Sequence, residues 1–260
     1  MKKQKTLREM ASSGRPDYKE YLLSKTELAI GIILGVGALI ILDYLFYRTT
    51  IALIVLSPIV PLVILIMKRK QKEKRKKRLR MQFRDMMQSL SAAICAGYSV
   101  ENAILEAKSD MTAMYGEKGM ITCELGVIYE GIRNSRTPEE MFRDFALRSG
   151  LEEIEDFAEV FGIAKRIGGD LTNVIRVSTE TISGKVETES EIETAIASKK
   201  MEGRIMDLVP GLMILYIDFT SPGFFSVLYD TIVGRIIMTV CLIGYVGAIV
   251  LSEKLMKIEV

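Results

Sequence analysis

The 260-residue sequence contains no histidine and no tryptophan, and only three cysteines and six prolines. Without histidine there is no imidazole general acid or base, and no Ser-His or Cys-His nucleophile. The common histidine-bearing zinc and non-haem iron sites are excluded as well. Cys95, Cys123 and Cys241 lie far apart and form no C-x-x-C. Such a sparse, odd-numbered set argues against a disulfide framework or metal cluster, and buried, reduced thiols facing a cytosol are expected. The motifs G-x-x-x-x-G-K-[ST], G-x-S-x-G and H-E-x-x-H are missing, so no P-loop, nucleophile elbow or zincin helix is present. Period-two runs of β-branched residues are missing too, so strands are not expected.

The charge that is present is unevenly placed. A net charge of +2 averages over segments of opposite sign. Residues 68–80 (KRKQKEKRKKRLR) carry ten basic residues and one acidic one, whereas residues 81–207 carry 14 basic and 23 acidic, a net −9. With 49% of the chain apolar, most other residues fall in four nearly uncharged stretches, which is not a soluble globular composition. The 15 methionines read as core filler and membrane packing, not as a copper site.

Residues 28–47 and 50–67 are each long enough to cross a hydrocarbon layer of about 30 Å at 1.5 Å per residue. Only Arg48-Thr49 separates them, so they read as a tight helical hairpin. A cleaved signal peptide fits poorly, because a long polar segment precedes the first span and a second span follows at once. Residues 208–229 and 232–251 form a second pair. Ser221-Pro222-Gly223 interrupts the third stretch. That helix is expected to start near Arg204 and end near Thr220, with 224–231 at the membrane interface.

Basic residues cluster on one side of these spans. Seven precede the first, ten follow the second, and Lys254 and Lys257 follow the fourth, while the hairpin tips offer only Arg48 and Arg235. Both termini and the middle domain are therefore expected in the cytosol. The run 68–80 could bind nucleic acid, but no aromatic residues interleave it. Fixing topology and binding anionic headgroups is the favoured reading. Residues 1–27 read as loosely ordered or interfacial, with Tyr18, Tyr21 and Leu22 in a short amphipathic turn.

Residues 81–207 read as six helices. Phe83, Met86, Met87, Leu90 and Ile94 share one face of the first, which Gly97 ends, and Ser99 can cap the next. A third is expected near 119–132. Thr137-Pro138-Glu139-Glu140 forms a capping box for a fourth, which stops at Ser149-Gly150. A fifth covers 151–166, and a long sixth, about 171–207, leads into the third span. Its middle, 183–191, is polar on all faces and is expected to project from the bundle.

Two groups of residues invite a chemical reading. Asp43 and Asp218 lie in apolar spans, where a carboxylate costs about 2.5–3.5 kcal/mol on insertion scales. An aspartyl protease dyad or an ion path is conceivable, but neither residue sits in a G-x-G-D setting. A structural ion pair or partner contact is favoured: Asp218 with Arg235, and Asp43 with Arg48 or a partner's helix. Gly168-Gly169-Asp170 resembles a phosphate cradle only superficially, since Asp170 would repel an anion. A C-cap, a turn and a new N-cap explain it better.

The order of these features resembles the type II secretion system F domain family. The stretches that carry the likeness are Phe83–Ile104, with its Ala-Gly turn and capped second helix, and Gly162–Ile175, with its Gly-Gly-Asp turn. Gly203–Val260, with Pro210, Ser221-Pro222-Gly223 and Gly234-Arg235, looks most like the TadB/TadC branch from tight-adherence (Flp-type) pilus systems. The resemblance covers about 28–260, and its motifs punctuate helices without catalysing anything. It implies an all-α membrane protein, with four transmembrane helices in two hairpins flanking a cytosolic six-helix bundle. Its parts are a 1–27 cytosolic segment, a 28–67 hairpin, a 68–80 basic segment, an 81–207 bundle, a 208–251 hairpin and a 252–260 tail.

The function so implied is a cell-membrane platform without enzymatic activity or cofactor, which couples a cytosolic hexameric secretion ATPase to pilin insertion or export. Expected partners are that ATPase, prepilin or pilin subunits, a paralogous platform protein or a second copy, and anionic lipids, but not nucleic acid. The competing reading is a small transporter or channel that uses Asp43 and Asp218.

Overall fold

The computed structural model describes residues 18, 25–47, 57–167, 170–221 and 223–258. All regular secondary structure among them is helical. In chain order the helices are α1 (Lys25–Phe46), α2 (Ile59–Cys95), α3 (Val100–Tyr115), α4 (Met120–Arg133), α5 (Pro138–Ser149), α6 (Glu152–Ile167), α7 (Leu171–Thr220), α8 (Ser226–Asp230) and α9 (Ile232–Ile258). They form two units, one of residues 1–22 and 70–188, the other of residues 23–69 and 189–260. Both α2 and α7 run unbroken through the division.

Local chemistry explains the helix ends of the first unit. After α2, Gly97 takes φ +91°, its amide bonds to the Ile94 carbonyl, and the Tyr98 amide reaches back to Ala93, which is a Schellman closure. The Ser99 hydroxyl accepts from the Asn102 amide and starts α3. Thr137 accepts from the Glu140 amide, with Pro138 in the first helical position of α5. Gly150, in the left-handed region at φ +60°, closes α5. Asp170 Oδ1 accepts from the Asn173 amide and starts α7. Gly168 and Gly169 lie outside the described residues.

Six helices contribute to one core in this unit. It gathers Leu79, Phe83, Met86, Met87 and Leu90 of α2 with Ile104, Ile121, Leu125, Phe142, Phe145, Ile154, Phe157, Phe161 and Ile175. The Phe142 and Phe157 rings meet edge to face at 5.1 Å, which adds about 0.5–1.5 kcal/mol beyond simple burial. Helix α7 leaves this core later than its polarity suggests. Val186 is 6% exposed, and Lys185 is held by Glu152 (3.4 Å) and Glu153 (3.1 Å), so 183–186 packs against the unit and does not project from it.

The second unit has a different surface. Its core is small: Leu39, Leu45, Phe46, Tyr229, Met238 and Leu242. In α1, Gly31 and Gly35 face α2. A Cβ on Gly35 would lie 3.3 Å from the Val60 backbone, and one on Gly31 would lie 3.4 Å from Met67 Sδ. Small residues four apart let two apolar helices approach this closely.

Among the described residues, two helices are long and apolar enough to cross a membrane, Thr26–Phe46 and Ile232–Ser252, yet only 22% and 17% of their apolar windows are buried. A core helix of a soluble domain would be mostly buried. These two instead present residues such as Ile33 (70% exposed) and Ile232 (79%). Residues 50–56 of the second expected span lie outside the described residues. The third expected span ends where anticipated, at Thr220, and its apolar part from Leu208 is the last quarter of a 50-residue helix that passes through Pro210 without a break.

Candidate functional site

The most concentrated polar chemistry in the first unit is a buried ionic cluster. Helix α4 places Glu124 on its apolar stripe beside Ile121, Leu125 and Ile128, and Glu124 is fully buried. Arg148, in the last turn of α5, grips it with both terminal nitrogens at 2.8 and 2.6 Å. Its Nε also reaches Asp144, one turn earlier, at 3.2 Å.

Tyr18 completes the cluster. Its hydroxyl donates to Glu124 at 3.0 Å, its amide donates to the Arg148 carbonyl at 3.2 Å, and Arg75 of α2 lies 4.8 Å above its ring. Burial, then the Glu124 carboxylate, pushes the Tyr18 phenol far up. Burial opposes the Arg148 charge, but the hydrogen bond and charge of Glu124 outweigh it and raise its pKa. Tyr18 is therefore a core residue and not part of an interfacial turn, since the buried carboxylate needs its donor; Tyr21 and Leu22 lie outside the described residues.

A second cluster joins α2, α6 and α7. Glu153 is buried, with Arg80 at 3.2 Å and Lys185 at 3.1 Å. Burial works against its ionisation, but its backbone hydrogen bond and both cations win and hold the carboxyl below the usual range. Lys76 adds a hydrogen bond to the Gly150 carbonyl at 2.7 Å. The basic run thus has two faces. Arg75, Lys76 and Arg80 hold the first unit together, while Lys68, Arg69, Lys70, Lys74 and Arg78 are exposed.

The outer surface of α5 and α6 is acidic. A groove of about 780 Å³ between them sets Glu139, Glu140, Glu155 and Glu159 against Arg143 and Arg166. Glu139 is paired with Lys165 at 3.2 Å. Among the described residues no cluster of ligating side chains could hold a metal ion.

Among the described residues, the polar side chains expected within the spans make the following contacts. Asp218 accepts from the Tyr44 hydroxyl at 3.4 Å, and Arg235 donates through Nε to the Tyr229 carbonyl at 2.9 Å. Asp43 Oδ1 is buried without a hydrogen-bond partner among the described residues, which do not include Arg48. Tyr229 donates to the Leu45 carbonyl (2.8 Å) and Tyr47 to Thr239 (2.9 Å), which tie α1 to the segment after α7. All three cysteines are free but exposed, contrary to expectation: Cys95 is in the last turn of α2, Cys123 on the outer face of α4 and Cys241 on the apolar surface of α9.

Sequence reasoning missed Glu124, Arg148 and Tyr18. One signal was available: Glu124 interrupts the i, i+3, i+4 stripe of α4, where a carboxylate must have a cation. No protein family, curated protein or solved structure matches the chain.

Proposed function

We propose that this chain is the multi-pass cytoplasmic-membrane platform of a pilus-assembly or type II secretion-like machine. In this reading the second unit spans the bilayer as two hairpins, four helices in all, with both termini in the cytosol. The first unit docks a cytosolic hexameric secretion ATPase and passes its movement to pilin insertion or export. A paralogous platform protein or a second copy completes the assembly, and the exposed face of 68–78 meets anionic headgroups.

One observation carries the reading. Helix α7 runs 50 residues without a break, with Ile175, Ile182 and Val186 in the core of the first unit and an apolar, exposed surface from Leu208 onward (Leu208 60%, Met213 59%, Phe219 90%). A continuous helix carries a displacement from one end to the other with little loss, because bending it breaks backbone hydrogen bonds. The acidic α5–α6 surface supports the docking half, since it can steer a basic partner surface.

Ala197 is exposed in the middle of α7, so Ala197→Pro interrupts the helix without removing a core contact. Pilus assembly should be lost while ATPase capture by the full-length chain is retained. Normal pili on cells carrying this variant would contradict the coupling.

The transporter or channel reading has Asp43 in its favour, with a buried oxygen lacking a hydrogen-bond partner among the described residues. It requires solute or proton flux in vesicles that Asp43→Asn abolishes.

A further inference from the structure

We infer that the basic segment 1–17 of this chain docks in the acidic groove between α5 and α6. The docking stands on charge and geometry; it rests on the proposed function only for its role, which is to cover the surface that the ATPase would use.

The groove has the build of a cradle for a polypeptide. Its volume is about 780 Å³, and three small residues, Ala146, Ala158 and Gly162, lie on its lining. A Cβ on Gly162 would meet nothing within 4 Å, so the space above that position is open. Leu147 and Ile163 line it too and are 50% and 49% exposed, which is apolar surface that a covering chain removes from water. The lining carries four glutamates and two arginines, a net −2. Lys165 matches Glu139, whereas Glu155 and Glu159 are exposed and in no ion pair among the described residues.

The sequence supplies a matching occupant. Residues 1–17 hold Lys2, Lys3, Lys5, Arg8 and Arg15 against Glu9 and Asp17, a net +3, with Leu7 and Met10 among them. Opposite charge steers such a segment to the groove, and its two apolar side chains suit Leu147 and Ile163. The other basic run, 68–80, is built into α2, where Arg75, Lys76 and Arg80 are already engaged with the first unit.

Tyr18 fixes where the segment joins the folded unit. Its ring is 2% exposed and its amide donates to the Arg148 carbonyl at 3.2 Å, one residue from Leu147. Because α5 ends at Ser149 and α6 begins at Glu152, Leu147 and Glu155 mark the same end of the groove. From Leu147 back to Thr137 the α5 wall measures about 15 Å at 1.5 Å per residue. The 13 steps from Lys5 to Tyr18 reach up to about 43 Å, so the lysines can meet Glu155, Glu159 and Glu140 in turn. A tether of this length gives an effective concentration of about millimolar, which lets a contact too weak to join separate molecules hold.

The test is cross-linking of the full-length, detergent-extracted chain with a carbodiimide, which joins a lysine amine directly to a carboxylate in contact with it, followed by peptide mapping. Lys2, Lys3 and Lys5 should couple to Glu155 and Glu159 several-fold more than to Asp156, an exposed carboxylate on the α7 side of the same helix. The preference should vanish in about 1 M salt. Ile163→Lys, at a half-exposed position, should lower the coupling through repulsion. Coupling spread evenly over Glu155, Glu159 and Asp156 would overturn the site, as would a preference that salt leaves intact. Mixing nitrogen-15-labelled with unlabelled chains separates the occupants: cross-links that carry both labels would assign the groove to a second copy and overturn the intrachain reading.

The role is read from ATPase capture at low salt. Lys2→Gln, Lys3→Gln and Lys5→Gln together should raise it several-fold, and unchanged capture would overturn the covering role. Cross-links at Glu155 and Glu159 without capture by either chain would uphold the intrachain site and contradict the docking reading alone.

Discussion

Arg148 holds both carboxylate oxygens of Glu124, at 2.8 and 2.6 Å, with 5% of its side chain exposed and none of its partner's. A pair this deep gains its worth from being complete. Arg148→Met leaves Glu124 as a buried carboxylate without its cation, and should destabilise the first unit by about 3–5 kcal/mol. Chemical denaturation of the full-length chain, followed by far-ultraviolet circular dichroism, measures this loss. A change below about 1 kcal/mol would show that the pair is solvated.

Tyr18 separates two contributions to the same cluster. Tyr18→Phe removes the hydroxyl that donates to Glu124 but keeps the ring under Arg75, so a loss of about 0.5–1.5 kcal/mol is expected. Tyr18→Ala also removes a ring that is only 2% exposed and should cost about 3–5 kcal/mol. Melting temperatures of the two variants, read side by side, check the order. Equal losses would mean that the hydroxyl carries everything.

The pH profile of stability follows from Glu153 and Lys185. The Glu153 carboxyl titrates lower in the folded chain than its ordinary value of 4.5, so its contribution is present above that value and is lost as pH falls through the folded one. Lys185 titrates higher than its ordinary 10.5, chiefly through its hydrogen bond to Glu153, so its contribution is present below that value and fades as pH rises through the folded one. The melting temperature should thus be level between these limits and fall on both sides. Glu153→Gln should flatten the acid limb, and an acid limb of unchanged slope in that variant would refute the assignment.

Gly35 and Gly37 make a matched comparison within α1. A side chain on Gly35 meets the Val60 backbone, whereas a Cβ on Gly37 meets nothing within 4 Å. Gly35→Leu should separate α1 from α2 and cost about 1–3 kcal/mol, while Gly37→Leu should be tolerated. Thermal melts in detergent distinguish them, and equal behaviour would mean that α1 and α2 do not pack through this face.

What was legible in the sequence was local. Ser99, Thr137-Pro138, Gly97 and Gly150 stand at the helix ends expected of them, because a cap depends on a residue and its neighbours within one turn. The core of α6 was readable for the same reason: Ile154, Phe157, Ala158, Phe161 and Ala164 share one helical face, and all are buried. Partnerships between helices were not readable. Tyr18 and Glu124 are 106 residues apart, and nothing in the composition of 1–27 marks one tyrosine for the core. The division of the basic run into an inward and an outward face depends on where α5, α6 and α7 pack, as does the choice of Glu153 over its exposed neighbours Glu152 and Glu155. Asp218 and Arg235 illustrate the converse. Their opposite charges suggested a pair, whereas Asp218 accepts from the Tyr44 hydroxyl and Arg235 donates to the Tyr229 carbonyl.

In the proposed platform, an acidic first unit docks a basic surface of a secretion ATPase on behalf of a membrane-embedded second unit. The direct measurement is co-purification of the full-length, detergent-extracted chain with the secretion ATPase of the same genome, at low and at high salt. Capture is expected at low salt and should weaken as salt rises, and weaken further when Glu155 and Glu159 are replaced by lysine. Absence of capture at low salt, or capture that neither salt nor these substitutions alter, would contradict it.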